Sequence, residues 1–233
     1  MPNRTILKYP NAQLKKKSIP VVDFDDTFKS EVKDLIDTLE VNRGAGLAAP
    51  QIGIQKRFLL IKPSAFDVEN PDPVEDHPDY MLLVNPVVEL SEEKVRWPEA
   101  CLSVREQPMY VTRSKTTNVQ YQTFSGESRE MTLDWPLSAA LQHEYDHLDG
   151  VLYIDRIGSL AKSRLIKEQR KREKVKRQMR LKEKEREILE EKGPAAARKW
   201  RMSLSGKNLS KLAEKRRKKK AQIKSSKKKN RKR

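Results

Sequence analysis

Two histidines four residues apart, in the stretch Gln142 to Gly150 (QHEYDHLDG), have the spacing best suited to chemistry in this chain. On a helix, His143 and His147 project from one face. Two neutral imidazole nitrogens at that spacing can share one divalent metal, and Glu144 lies beside them as a candidate proton carrier. The chain has three histidines, so two of them are committed here. A solvated helix can carry the same pattern by chance. The metal reading needs a third ligand.

Cys101, the single cysteine, can supply it. One cysteine makes no intramolecular disulfide, so the chain needs no oxidising compartment. Alone it reads more readily as a small buried apolar residue than as a ligand. Beside a two-histidine helix, a cysteine completes three protein ligands and leaves the fourth position open, as in catalytic rather than structural sites. The spare histidine, His77, lies in an acidic, proline-rich stretch (71–78) that reads as a surface loop. Upstream, residues 44–51 (GAGLAAPQ) combine Gly44 and Gly46, which permit close backbone approach, with Gln51, whose amide can donate towards a reacting centre. Glu99 and Arg113 read either as an ion pair beneath the site or as two solvated charges. Asp146 reads either as an acceptor orienting an imidazole or as a helix-surface charge.

Together, GAGLAAPQ (44–51), EACLS (99–103) and QHEYDHLDG (142–150) resemble the three motifs of peptide deformylases, in order and at suitable separations. The segments ILKYPN (6–11) and VTR (111–113) fit as well, and the resemblance spans roughly residues 4 to 160. It implies a metallo-hydrolase that removes the N-formyl group from the formyl-methionine of new polypeptides and releases formate. In that reading Cys101, His143 and His147 hold the metal, which lowers the pKa of a bound water. Glu144 acts as general base and then acid. The Gln51 amide and the Leu102 backbone N–H stabilise the oxyanion, and Gly46 meets the peptide main chain. The resemblance favours Fe2+, while the ligand types also admit Zn2+, Ni2+ or Co2+. An iron–thiolate site exposes Cys101 to oxidation. One position departs from the family: Ala100 stands where glycine is usual, and its methyl group would tighten the groove or shift the local backbone.

These residues need elements to hold them. Phe28, Val32, Leu35, Ile36 and Leu39 recur at helical spacing, predicting an amphipathic helix from Thr27 to about Arg43, capped by Asp26 or Thr27. Strands are expected at 57–62, 80–90, 116–124 and 128–133, with a hairpin turn at Ser125, Gly126 and Glu127. Asp134 and Pro136 should start the ligand helix and Gly150 stop it. A ligand helix plus a cysteine from a strand–loop region predicts an α+β fold with short, mostly antiparallel strands and the metal between layers.

Charge divides the chain in two. Residues 162–233 hold 32 Lys+Arg against 8 Asp+Glu, whereas residues 1–161 hold 18 against 25. The expected organisation is therefore a catalytic domain over 1–161 and a basic helical tail over 162–233. Residues 159–192 lack glycine and proline and favour a solvated helix; Gly193 and Pro194 break it. A second short helix is expected from about Asn208 to Lys224, with the last nine residues unordered until bound. Such a tail suits ribosomal RNA or an exit-site protein, because the family acts as polypeptides emerge. An anionic membrane surface and a simple solubility tail are the plainer readings. No apolar run has transmembrane length and no export signal opens the chain, so the expected compartment is the cytoplasm. The sequence sets no oligomeric state. Two other functions compete: an HExxH metallopeptidase, which needs a third His or Glu after the helix, and a non-catalytic RNA-binding protein on a degenerate enzyme domain. No histidine follows Gly150, and Gln51, Cys101, His143, Glu144 and His147 are all in place.

Overall fold

The computed structural model describes residues 4–230, and the side chains among them except those of 105–107, 169, 173 and 205–230. The first long element is helix α1 (Asp26–Asn42), whose Phe28, Val32, Leu35, Ile36 and Leu39 are all buried. Its cap lies one residue earlier than expected: the Asp25 side chain accepts from the Phe28 N–H, satisfying a donor that the first turn leaves open. The helix ends at Arg43, in the left-handed conformation.

Seven strands follow: β1 (Gly46–Ala48), β2 (Phe58–Ile61), β3 (Met81–Leu90), β4 (Lys94–Cys101), β5 (Val104–Ser114), β6 (Thr116–Gln122) and β7 (Ser128–Asp134). Five of them form one antiparallel sheet in the order β1-β2-β3-β6-β7, and β4 and β5 form a separate hairpin. The fold is α+β with antiparallel sheets. Thr123 and Glu127 close the β6–β7 turn around Gly126, which has φ 85°. Strands β1, β4 and β5 lie outside the strands expected from the sequence.

Helix α2 (Leu137–Leu148) packs on the sheet face opposite α1. The alternation of β2 shows why its residues are apolar throughout. Phe58 and Leu60 join the α1 core, while Leu59 and Ile61 join the α2 core. In β3, Leu82 and Val84 face α1, and Met81 and Leu83 face α2. A third cluster seats α3 (Tyr153–Arg156) against β5 through Tyr153, Ile154, Val104 and Val111.

The last element, α4 (Ser159–Asn230), is interrupted at Gly193 by non-helical angles (φ 78°, ψ 175°), with Pro194 next. The chain divides into two compact units after Gln169, within α4. In the second unit, Arg201 Nε donates to Glu185 Oε1 at 2.6 Å. On a straight helix these residues would lie about 24 Å apart, so the chain folds back at Gly193 as a helical hairpin. The segment after Pro194 is helical from there to Asn230, not only over 208–224, and the stretch expected to be unordered is helical up to Asn230. Arg231, Lys232 and Arg233 lie outside the described residues. Among the described residues, no helix is long and apolar enough to cross a membrane.

Candidate active site

Helix α2 carries His143 and His147 one turn apart, with ring centroids 5.2 Å from each other. Leu137, Leu141 and Leu148 hold its other side on the sheet. Cys101 comes from the tight end of the β4–β5 hairpin. There Glu99 pairs with Met109 and Cys101 with Val104, so the register shifts just before the cysteine, with the extra residues on β5. Ligand atoms of Cys101, His143 and His147 all lie within 4.8 Å of one another. Cys101 Sγ and His147 Nε2 are 3.3 Å apart, a separation that one ion can bridge with bonds of about 2.0 to 2.3 Å.

A line of buried charge orients the first histidine. His143 Nδ1 meets Glu99 Oε2 at 2.7 Å, and Arg113 grips the same carboxylate with Nε at 2.5 Å and Nη2 at 2.9 Å. Arg113 Nη1 donates onward to Asp146 at 2.7 Å, and Arg156 covers the far side of Asp146. Both sequence ambiguities are thereby decided. Glu99 and Arg113 form a buried pair, each under 5% exposed, and Asp146 accepts from two arginines rather than from an imidazole. Burial would raise the Glu99 carboxyl, but the hydrogen bonds from Arg113 and His143 outweigh it and hold the group down at about 2. Burial would likewise lower His143, yet the Cys101 sulfur and Glu99 raise it well above the ordinary imidazole range. His147, with burial and the His143 charge against it, is lowered. One sulfur and two imidazole nitrogens converging at this distance form a donor set that fits a divalent metal.

Glu144 is buried, and its Oε2 has no hydrogen-bond partner among the described residues. Burial pushes its carboxyl up to about 7. Gly46 packs directly on it: a Cβ at that position would lie 2.6 Å from Glu144 Oε1. Gln51, 1% exposed, is oriented by the Ala48 N–H, which donates to Oε1 at 2.7 Å. That bond turns Nε2 towards Ser103 Oγ (3.2 Å) and Cys101 Sγ (3.6 Å). The Ser103 N–H also points at the sulfur, at 3.4 Å.

An N-terminal strap ties these turns together. Leu7 N–H donates to the Gln51 carbonyl, Tyr9 N–H to the Ser103 carbonyl, and Lys8 Nζ to the Leu102 carbonyl. Above them opens a cavity of about 390 Å3, into which Gly46, Gln51, Cys101, Leu102, His143 and Glu144 all face. Ala100 lies on its wall, as do Trp97 and Phe66. His147 sits behind Cys101 and does not line it. Sequence reasoning missed Ser103, Lys8 and Arg156. The ILKYPN segment carried the signal for Lys8, whereas nothing in the spacing links Arg156 to Asp146.

Comparison with known proteins agrees with this geometry. The family model described as polypeptide deformylase matches residues 3–163. The chain is similar to the peptide deformylase of Helicobacter hepaticus, 38% identical over 71% of this chain and 90% of that protein. Peptide deformylase 1 of Rickettsia conorii is 37% identical over 71% and 94%. Among solved structures, the Ehrlichia chaffeensis peptide deformylase in complex with actinonin superposes with TM-score 0.66 at 30% identity, over 74% of this chain and 99% of that one. The Met-Ala-Ser-bound enzyme of Acinetobacter baumannii gives 0.59 at 28% identity, over 67% and 99%.

Proposed function

The chain belongs to the polypeptide deformylase family and removes the N-formyl group from nascent polypeptides; we propose that the cavity beside α2 is where it does so. The observation that carries this reading is the convergence of Cys101, His143 and His147 next to a buried glutamate with an unpartnered oxygen. Cys101, His143 and His147 would hold a divalent ion, which would supply Lewis-acid activation of the attacking water. Fe2+ is the proposed ion, and Zn2+, Ni2+ and Co2+ suit the same ligands.

Glu144 takes the proton from that water and passes it to the departing amine. A carboxyl poised near neutrality can do both. The Gln51 Nε2 amide and the Leu102 N–H donate to the formyl oxygen as it becomes negative, and the Ala48 bond keeps Gln51 from turning away. Strand β1 ends the five-stranded sheet and β4 has a strand on one side only. Two strand edges therefore border the cavity, and an extended peptide can lie along them with its main chain at Gly46.

We assign catalysis to residues 1–161 and contact with the translating ribosome, through rRNA or an exit-site protein, to the basic tail 162–233, with the cytoplasm as compartment. The excess of 24 positive charges in the tail supports this assignment. Metal removal tests the active-site reading. Protein stripped by a chelator should release no formate from formyl-Met-Ala-Ser, and anaerobic Fe2+ should restore activity at one ion per chain. Formate release indifferent to metal, or peptide-bond cleavage in its place, would overturn the reading.

A further inference from the structure

We propose that Arg43 makes this enzyme discriminate among formylated chains by charge, favouring an acidic over a basic side chain at the third residue. The proposal rests on the deformylase reading of the cavity. Among the described residues, three charged side chains other than His143 line that cavity: Glu99, Glu144 and Arg43. Glu99 is buried and neutralised by Arg113, and Glu144 sits at the reacting end. Arg43 alone is exposed, and it makes no ion pair among the described residues. The carboxylate three residues before it, Glu40, lies near Tyr80 and, after burial, helps to raise that hydroxyl.

The backbone fixes where this cation stands. Arg43 caps α1 with φ 50°, its N–H donating to the carbonyls of Glu40 and Leu39. Gly44 follows, so close to the Leu39 and Leu102 side chains that a Cβ would come within 2.7 and 2.8 Å of them. The loop is thus pressed onto the cysteine turn, with Arg43 on the cavity wall. From Gly46, which touches Glu144, back to Arg43 the backbone spans at most about 10 Å. A peptide extended along β1 advances about 3.3 Å per residue. Counted from the formyl carbon beside Glu144, about 10 Å is three residue lengths, so the side chain that comes level with Arg43 is that of the third residue. An exposed charge pair contributes modestly and is screened by salt, so Arg43 acts as a selectivity filter rather than an anchor.

Formate release should be measured for formyl-Met-Ala-X-Ala-amide with X as Glu, Gln or Lys, at low and high ionic strength. The capped C-terminus removes the competing carboxylate. At low salt, kcat/KM for Glu should exceed that for Lys by about three- to fivefold, and the gap should close at high salt. Arg43→Glu should invert the order and Arg43→Lys should keep it. Arg43→Asn, which tolerates the left-handed backbone, should flatten it. Each comparison is a ratio within one preparation, so differences in folded fraction cancel. Equal ratios in the wild type and Arg43→Glu would overturn the assignment while leaving the deformylase reading intact. No formate from any peptide would overturn both.

Discussion

His143 can present Nε2 to a metal only while Nδ1 is held, and Glu99 holds it at 2.7 Å. Arg113 keeps that carboxylate ionised and aimed, and Asp146 and Arg156 fix Arg113 from behind. Glu99→Gln should therefore weaken metal binding about 10- to 100-fold, read by competition with a chelator of known affinity. Unchanged affinity would mean that the α2 backbone alone sets the imidazole. Gly46 answers a different demand. Its missing side chain leaves room for the Glu144 carboxylate, so Gly46→Ala should lower kcat by about a hundredfold or more while metal content stays at wild-type level. Residue types made the grouping of Cys101, His143 and His147 legible, because a histidine pair one turn apart gains a metal reading once a cysteine can join it. The line from Glu99 to Arg156 was legible only as ambiguity. Its members come from β4, β5, α2 and α3, and sequence spacing says nothing about which charges folding will bury together.

Elements were legible where one face repeats. Helix α1 showed its five apolar positions at helical spacing, and only its cap was misplaced, from Asp25 to a neighbour. Strand β4 concealed itself. Lys94 to Trp97 alternate polar and apolar, but Glu99 puts a charge on the apolar phase, and Pro98 argues against a central strand but suits a hairpin with one free edge. Strand β1 is only three residues, Gly46 to Ala48, in a stretch of mostly small residues that reads as loop. The short helix α3 depends on Asp155, which accepts from the Leu152 N–H at 2.9 Å and pairs with Lys15 and Lys162. Burial would raise this carboxyl, but its lysine partners prevail and lower it below the ordinary value. A depressed carboxyl contributes stability that is present above its unfolded pKa and lost as pH falls through the folded one. Asp155→Asn should accordingly cost about 1 kcal/mol at pH 7, with the difference from wild type shrinking below about pH 4. Denaturant midpoints at the two pH values give the comparison, and a penalty that persists in acid would contradict the pairing.

At the scale of the molecule, chemistry and charge occupy different units. The overall charge of +17 comes from the tail, while residues 1–161 carry an excess of seven acidic groups. Composition made this division legible, but not the fold-back at Gly193, which shows only in the ion pair between Glu185 and Arg201. Leu165 is buried with Tyr153 and Ile154, so a clean truncation should end at Gln169 rather than Ala161. That shortened chain should still deformylate small formyl-peptides but lose salt-sensitive co-sedimentation with ribosomes. Equal co-sedimentation at low salt would remove the tail from the account. The central claim, that one metal site and one glutamate perform the hydrolysis, is tested most directly by formate release from formyl-Met-Ala-Ser. Anaerobically prepared wild type and Glu144→Ala should be compared at matched metal content. The account predicts rapid release by the wild type and a fall of about a hundredfold or more in the variant, with its metal retained. Equal rates at equal metal content would contradict it.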